Sequence, residues 1–187
     1  MAVAALALTA LVAGCGDDNG GSASTDTATI DTQATQTQTT PTEPATPKAK
    51  KVQPAAGEAD LGSKPKVPKG KGKQPSQLVV QDLIVGKGKK AKAGDTVSVR
   101  YVGVLFDNGK QFDASWKGSG KGQTFQFPLG GGQVIPGWDQ GVAGMKEGGR
   151  RKLIIPPDLA YGAQGFPPKI PANAALIFDI DLVKTGS

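Results

Sequence analysis

Histidine is absent from the 187 residues, and the one cysteine is Cys15. A Ser-His-Asp or Cys-His relay therefore has no base, and a histidine-ligated metal has no ligand. No metal and no cofactor is expected. Among the carboxylates Asp113 stands apart, because Phe112 and Ala114 flank it. Its type suits a turn bond to nearby backbone, an ion pair, or a place beside a substrate, and the residues alone do not choose. The other chemistry-bearing set is aromatic: Tyr101, Phe112, Phe125, Trp138, Tyr161 and Phe178 come from separate stretches of chain. Brought together, such rings would make an apolar surface for a small rigid group. Gly118-Ser119-Gly120-Lys121-Gly122 has the look of a phosphate loop, but no Ser or Thr follows the lysine and no apolar strand leads into it.

These residues need elements to hold them. In Gln133-Val134-Ile135-Pro136-Gly137-Trp138 two apolar residues precede a Pro-Gly break. Apolar residues then recur at Trp138, Val142 and Met145, a helical spacing. Pro136 suits a helix start, where its missing N–H costs nothing, and Gly144 with Gly148-Gly149 ends the helix early. Taken alone, Trp138 reads as a core residue. The rest is strand-like: Leu78 to Val85, Thr96 to Phe106, Gln111 to Ser115, Thr124 to Phe127, Arg150 to Ile155 and Ala174 to Val183. In the second run Val97, Val99, Tyr101, Gly103 and Leu105 share one face and Ser98 and Arg100 the other. In the last, Leu176, Phe178, Ile180 and Leu182 face inward, Asp179 and Asp181 outward. Asp107-Asn108-Gly109 is a hairpin turn. Trp116 to Gln123 reads as a mobile surface loop, and Pro157 to Pro171 as a long structured one. The expected fold is α+β: a twisted antiparallel sheet of about five strands over one short helix.

The ordered set Tyr101, Phe112-Asp113, Phe125-Gln126-Phe127, Val134-Ile135-Pro136-Gly137-Trp138, Leu159-Ala160-Tyr161-Gly162-Ala163 and Ile177-Phe178-Asp179 resembles the FKBP-type peptidylprolyl cis-trans isomerases. The resemblance runs from about Gln77 to Lys184 in the family's order. It implies an FKBP-like fold and a shallow pocket lined by Tyr101, Phe112, Phe125, Val134, Ile135, Ile170 and Phe178, with Trp138 as its floor. It also implies isomerisation of X-Pro bonds, and macrolide inhibitors as ligands. The resemblance assigns substrate hydrogen bonds to the Tyr161 hydroxyl and the Ile135 backbone N–H. It sets Asp113 near the twisting carbonyl and leaves open a second task, fixing Tyr101. Such a reaction needs no nucleophile. The X-Pro amide turns over a barrier of roughly 18–20 kcal/mol, and at the twisted state resonance is lost and the group becomes less polar, so an apolar pocket favours that state. The sequence departs from the pattern at Phe166, where the best-known members carry a histidine. A different class, a proline-peptide-binding or chaperone module without catalysis, would share every lining residue. The presence of both Asp113 and Tyr161 favours the enzyme. A third class, an adhesion protein working through its basic linker, would make the domain a passive head.

Composition divides the chain. Apolar residues make up 37%, low for a wholly globular protein, and Thr, Gln, Lys, Pro and Gly crowd the first seventy-odd residues. Met1 to Ala13 is apolar and uncharged, too short to span a bilayer as a helix but suited to an export signal. No Lys or Arg precedes it. Leu11-Val12-Ala13-Gly14-Cys15 resembles a bacterial lipoprotein signal, with Cys15 the lipidated first residue. The expected divisions are a signal over 1–14, a lipidated disordered linker over 15–76 and the isomerase domain over 77–187. The linker buries too little to offset the entropy of ordering. The implied location is the outer face of the bacterial cytoplasmic membrane, held by lipid on Cys15. The net charge of +6 comes without aromatic interleaving, so nucleic acid is not an expected partner. The expected partners are X-Pro-containing polypeptides, met as a monomer.

Overall fold

The computed structural model describes residues 47–54, 60–116 and 122–186. The signal, Cys15 and most of the loop from Trp116 to Gln123 lie outside the described residues. Among the described residues, seven strands and one α-helix follow in order: β1 (Lys50–Lys51), β2 (Val79–Ile84), β3 (Thr96–Leu105), β4 (Gln111–Ala114), β5 (Phe125–Pro128), α1 (Pro136–Val142), β6 (Gly149–Ile155) and β7 (Leu176–Gly186), with a 3-10 turn at Pro157–Leu159 between the last two. None of their helices is long and apolar enough to cross a membrane. The strands form one sheet in the order β1-β2-β6-β7-β3-β4, and β5 pairs with β3 beside β4. The fold is α+β, a mixed sheet over a single short helix.

Long strands with branched residues carry the sheet. β3 and β7 pair antiparallel from Thr96↔Gly186 to Leu105↔Leu176, and β6 joins β7 on its other edge. The helix closes against β6 because its facing residues have no side chain. A Cβ on Gly137 would lie 2.4 Å from Ile155 Cγ2, and one on Gly141 2.5 Å from Leu153 Cδ1. Arg151 ties down the helix end: Nη1 donates to Gly141 O at 2.8 Å and Ala143 O at 3.0 Å, while Nε donates to Asp82 at 2.6 Å. A cation there meets carbonyls that have no helical partner. Trp138, Val142 and Met145 all turn into the core with Val97, Val99, Phe127, Leu153, Ile155, Leu176, Phe178 and Ile180.

Three details differ from expectation. The α+β sheet over one short helix stands, with one strand beyond the six runs read from sequence: β1 comes from the linker and pairs parallel with β2. Second, the outward face of the sheet is not a wet face. Asp179 and Asp181 are 1% and 4% exposed, and Arg150 is fully buried. Arg150 grips Asp181 with two donors, Nε at 2.5 Å and Nη2 at 2.7 Å, and Lys152 stands 3.9 Å from Asp179. Beside these charges Val102, Val104, Phe106, Trp116, Ala175 and Ile177 form a second apolar cluster. Trp116, read as part of a surface loop, is buried there under Arg100, whose guanidinium lies 5.7 Å from the indole centroid. Third, a structureless linker ending at residue 76 does not match residues 60–76. Ser63 O accepts from Arg150 at 3.3 Å and Pro65 is buried. Val67 packs on the second cluster, and Gly70 N–H donates to Phe106 O at 2.8 Å. Gln74 bonds Asp107 and accepts from Ala175 N–H. These residues form a strap across the sheet face that the helix does not cover.

Candidate active site

Five of the six rings named from sequence, Tyr101, Phe112, Phe125, Trp138 and Phe178, form one contiguous cluster. Trp138, 4% exposed, is the hub. Its ring lies 5.0 Å from Tyr101 at 79°, 5.2 Å from Phe178 at 87° and 6.2 Å from Phe125 at 77°. Phe112 stands edge-on to Phe178 at 5.5 Å. Edge-to-face pairs satisfy the ring quadrupole and contribute about 0.5–1.5 kcal/mol each beyond burial. Phe127, not a candidate from sequence, joins at 5.6 Å from Trp138. Its signal was present in the alternation Phe125-Gln126-Phe127, which sends both rings to one face of the strand. Here Phe127 is buried while Phe125 stays at the rim, 41% exposed. Among the described residues the buried indole Nε1 has no hydrogen-bond partner.

Backbone irregularity decides how Phe112 and Asp113 reach the same place. Adjacent strand residues normally point to opposite faces. In β4, Gly103 pairs with Asp113 and Val104 with Gln111, so Phe112 is an extra residue in a bulge. A bulge re-aims a side chain, and both residues meet the helix face. Gly103 makes the room: a Cβ there would lie 2.7 Å from both the Phe112 and the Phe178 rings. The Tyr101 hydroxyl donates to Asp113 Oδ2 at 2.6 Å, and the Ala114 N–H donates to Asp113 Oδ1 at 2.8 Å. Ser115 Oγ accepts from the Tyr101 N–H at 2.9 Å. Asp113 itself is exposed, and it holds Tyr101 in place. Burial, then the bond to Asp113, pushes the Tyr101 phenol well above its ordinary range. Burial and the Asp113 charge also raise Tyr161. Both hydroxyls therefore stay neutral donors at neutral pH.

Val134 and Ile135 sit half-buried at the helix entrance, packed against the main core. Ile135 is the residue before the helix, and its carbonyl accepts from Trp138 N–H at 2.8 Å. Among the described residues its own N–H has no acceptor. Asp139, which sequence reading passed over, steadies the glycine turn ahead of this point, accepting from Gly130 N–H at 2.8 Å and Gly132 N–H at 3.0 Å. An acid in the first helical turn after three glycines is the signal that marked it. Tyr161 lies 37% exposed, its ring 5.7 Å from Phe166. Reciprocal bonds between Phe166 and Ile170, at 2.8 and 2.9 Å, pin that loop and bury Ile170 against the core. Of the ten candidate residues of the domain, Tyr101, Phe125 and Phe178 pack on Trp138, Phe112 on Phe178 and Asp113 on the Tyr101 hydroxyl, while Ile170 belongs to the same core with Val134 and Ile135 packed against it, and Tyr161 packs on Phe166. Among the described residues no cluster of His, Cys, Asp and Glu suits a metal ion. A separate depression, lined by Asp82, Ile84, Gly86, Met145, Lys146 and Arg151, contains none of the candidates.

A tyrosine fixed by a carboxylate, a free N–H at a helix entrance and an aromatic floor can hold a peptide but offer no nucleophile. Residues 87–183 match the family described as FKBP-type peptidyl-prolyl cis-trans isomerase. The chain is 54% identical over 121 residues to an FK506-binding protein of Streptomyces anulatus, covering 64% of this chain and 95% of that one. It is 48% identical over 120 residues to a probable FK506-binding protein of Corynebacterium glutamicum, covering 64% and 97%. Among solved structures, FkpA from Escherichia coli superposes with a TM-score of 0.51 at 47% identity, over 58% of this chain and 48% of that one. A peptidyl-prolyl cis-trans isomerase from Pseudomonas syringae gives 0.52 at 33% identity, over 70% and 86%. The chain belongs to the FKBP-type peptidyl-prolyl cis-trans isomerases.

Proposed function

We propose that this isomerase is exported, held at the outer face of the cytoplasmic membrane by lipid on Cys15, and turns X-Pro bonds of exported polypeptides without any covalent step. The packing of Tyr101, Phe125 and Phe178 on Trp138, with Phe112 edge-on to Phe178, carries the proposal. A proline ring seated on the indole keeps its apolar contacts as the amide twists. The flanking peptide is held by the Ile135 N–H on one side and the Tyr161 hydroxyl on the other. Asp113 keeps the Tyr101 hydroxyl occupied, so that ring presents an apolar edge, and its carboxylate lies near the carbonyl that rotates. The twisted amide has lost resonance and polarity, so the apolar pocket binds it more tightly than the planar form. A differential of about 5 kcal/mol corresponds to several-thousand-fold acceleration. Proline-containing substrates and macrolides such as FK506 are the ligands this family membership supports.

The test has two arms. The full chain should accelerate isomerisation of X-Pro peptides, with FK506 suppressing the acceleration and the rate nearly flat from about pH 6 to 8, where no group of the site titrates at its reference value. Peptide binding without acceleration would replace the enzyme by a proline-binding module. Mass spectrometry of the mature protein should find lipid on Cys15; an unmodified Cys15 or cleavage elsewhere would remove the anchor from the account.

A further inference from the structure

Five lysines lie within ten residues of the strap: Lys64, Lys66, Lys69, Lys71 and Lys73, and all five are exposed. Their partners in alternation face the protein. Pro65 is buried, Val67 packs on the second apolar cluster, and Gly70 is bonded to Phe106 with no room for a side chain. A run of charge in a loose chain is ordinarily just solvated. This one is held extended on a folded surface, so its cations are displayed together without further ordering cost. No acid occurs between Asp60 and Asp82. The nearest acids are engaged: Asp60 by Ser63 and Gly62, Asp107 by Gln74.

We infer that the lysine edge of this strap docks the domain on a surface of anionic phospholipid headgroups, leaving the aromatic cluster facing away from the bilayer. The orientation follows from strand alternation. Val102, Val104 and Ile177, under the strap, point to the face opposite Tyr101, Gly103 and Phe178. A headgroup layer suits an exposed line of cations, because it needs neither a groove nor a register. Nucleic acid is the poorer fit: no aromatic residue lies between Lys64 and Lys73 to stack a base. The inference rests on the export reading only for the bilayer being within reach.

The experiment is co-sedimentation of the full chain carrying Cys15→Ala, so that no lipid contributes, with vesicles of phosphatidylcholine alone or containing about one-third phosphatidylglycerol. Partition onto the anionic vesicles should be at least about tenfold higher, and should fade as salt rises from about 0.1 to 0.5 M. Changing all five lysines to Gln should abolish the preference while leaving the thermal melt in place. Equal partition onto both vesicles, or a preference that survives the five substitutions, would overturn the inference. So would capture of the chain by a soluble polyanion together with indifference to phosphatidylglycerol. A fluorescent X-Pro peptide should bind the vesicle-held chain as well as the free one; loss of that binding would put the aromatic cluster against the bilayer and overturn the orientation. Failure of the isomerase reading would show separately, as absent acceleration in solution.

Discussion

On the helix face of the sheet Tyr101 and Phe178 meet Trp138 ring against ring, Phe112 stands edge-on to Phe178, and Phe125 and Tyr161 stay exposed. On the other face Arg150, Lys152, Asp179 and Asp181 stand among aliphatic residues under a strap of chain. The first face uses few polar atoms, each with a definite task, and keeps Phe125 and Tyr161 exposed. The second matches charge with charge and is closed by the protein's own polypeptide. Rings need no partner to be stable beside water, whereas a buried guanidinium does. In the proposed function the first face binds and turns the peptide, while the second fixes the sheet that carries it.

The sharpest way to break the contrast is at Arg150. Arg150→Met should cost about 3–5 kcal/mol by stranding Asp181. Adding Asp181→Leu should restore most of it. Urea denaturation reads both, and activity per folded molecule should not change in either. On the helix face Phe178→Ala should cost a similar amount, about 3–5 kcal/mol, but share it between the core and the site. Stability and peptide binding should fall together, which calorimetry with an X-Pro peptide would check. Removing residues 47–74 should cost about 2–3 kcal/mol by exposing the cluster around Phe106 and Trp116. A melting temperature unchanged by that truncation would mean the strap contributes nothing to the second face. The smallest effect is alkaline. The Tyr101 and Tyr161 phenols are raised in the folded state, chiefly by burial. The folded chain therefore keeps protons that the unfolded chain releases near pH 10. Stability should be level through neutral pH and decline above about pH 10, and Tyr101→Phe should lessen the decline in a pH series of denaturation curves.

The helix face was legible in the sequence and the strap face was not, for a physical reason. Trp138, Val142 and Met145 repeat at helical spacing, and Tyr101 and Phe178 fall on the inward phase of long strands, so periodicity alone placed them. Asp179 and Asp181 occupy the opposite phase, and a charged residue there normally signals water. Only the tertiary pairing with Arg150 and Lys152 and the cover of residues 60–76 bury them, and no local pattern encodes either. The strap's own composition, lysine alternating with proline and glycine, has the marks of a disordered spacer. It is ordered by scattered contacts, at Ser63, Pro65, Val67, Gly70 and Gln74, in a run otherwise built for solvent. Asp113 was visible as an acid in an apolar setting, but its aim depends on the bulge at Phe112, a one-residue irregularity that strand alternation cannot reveal.

The central claim is that the aromatic face lowers the barrier to X-Pro rotation, and that Asp113 acts there rather than in holding the fold. Exchange spectroscopy on an X-Pro peptide measures the catalysed cis–trans rate and the peptide affinity in one sample, for the wild-type chain and for Asp113→Ala with folding verified. The account expects clear acceleration by the wild type, and a fall in turnover of at least about tenfold for Asp113→Ala with affinity changed much less. Wild-type binding with no acceleration, or turnover and affinity falling equally in Asp113→Ala, would contradict it.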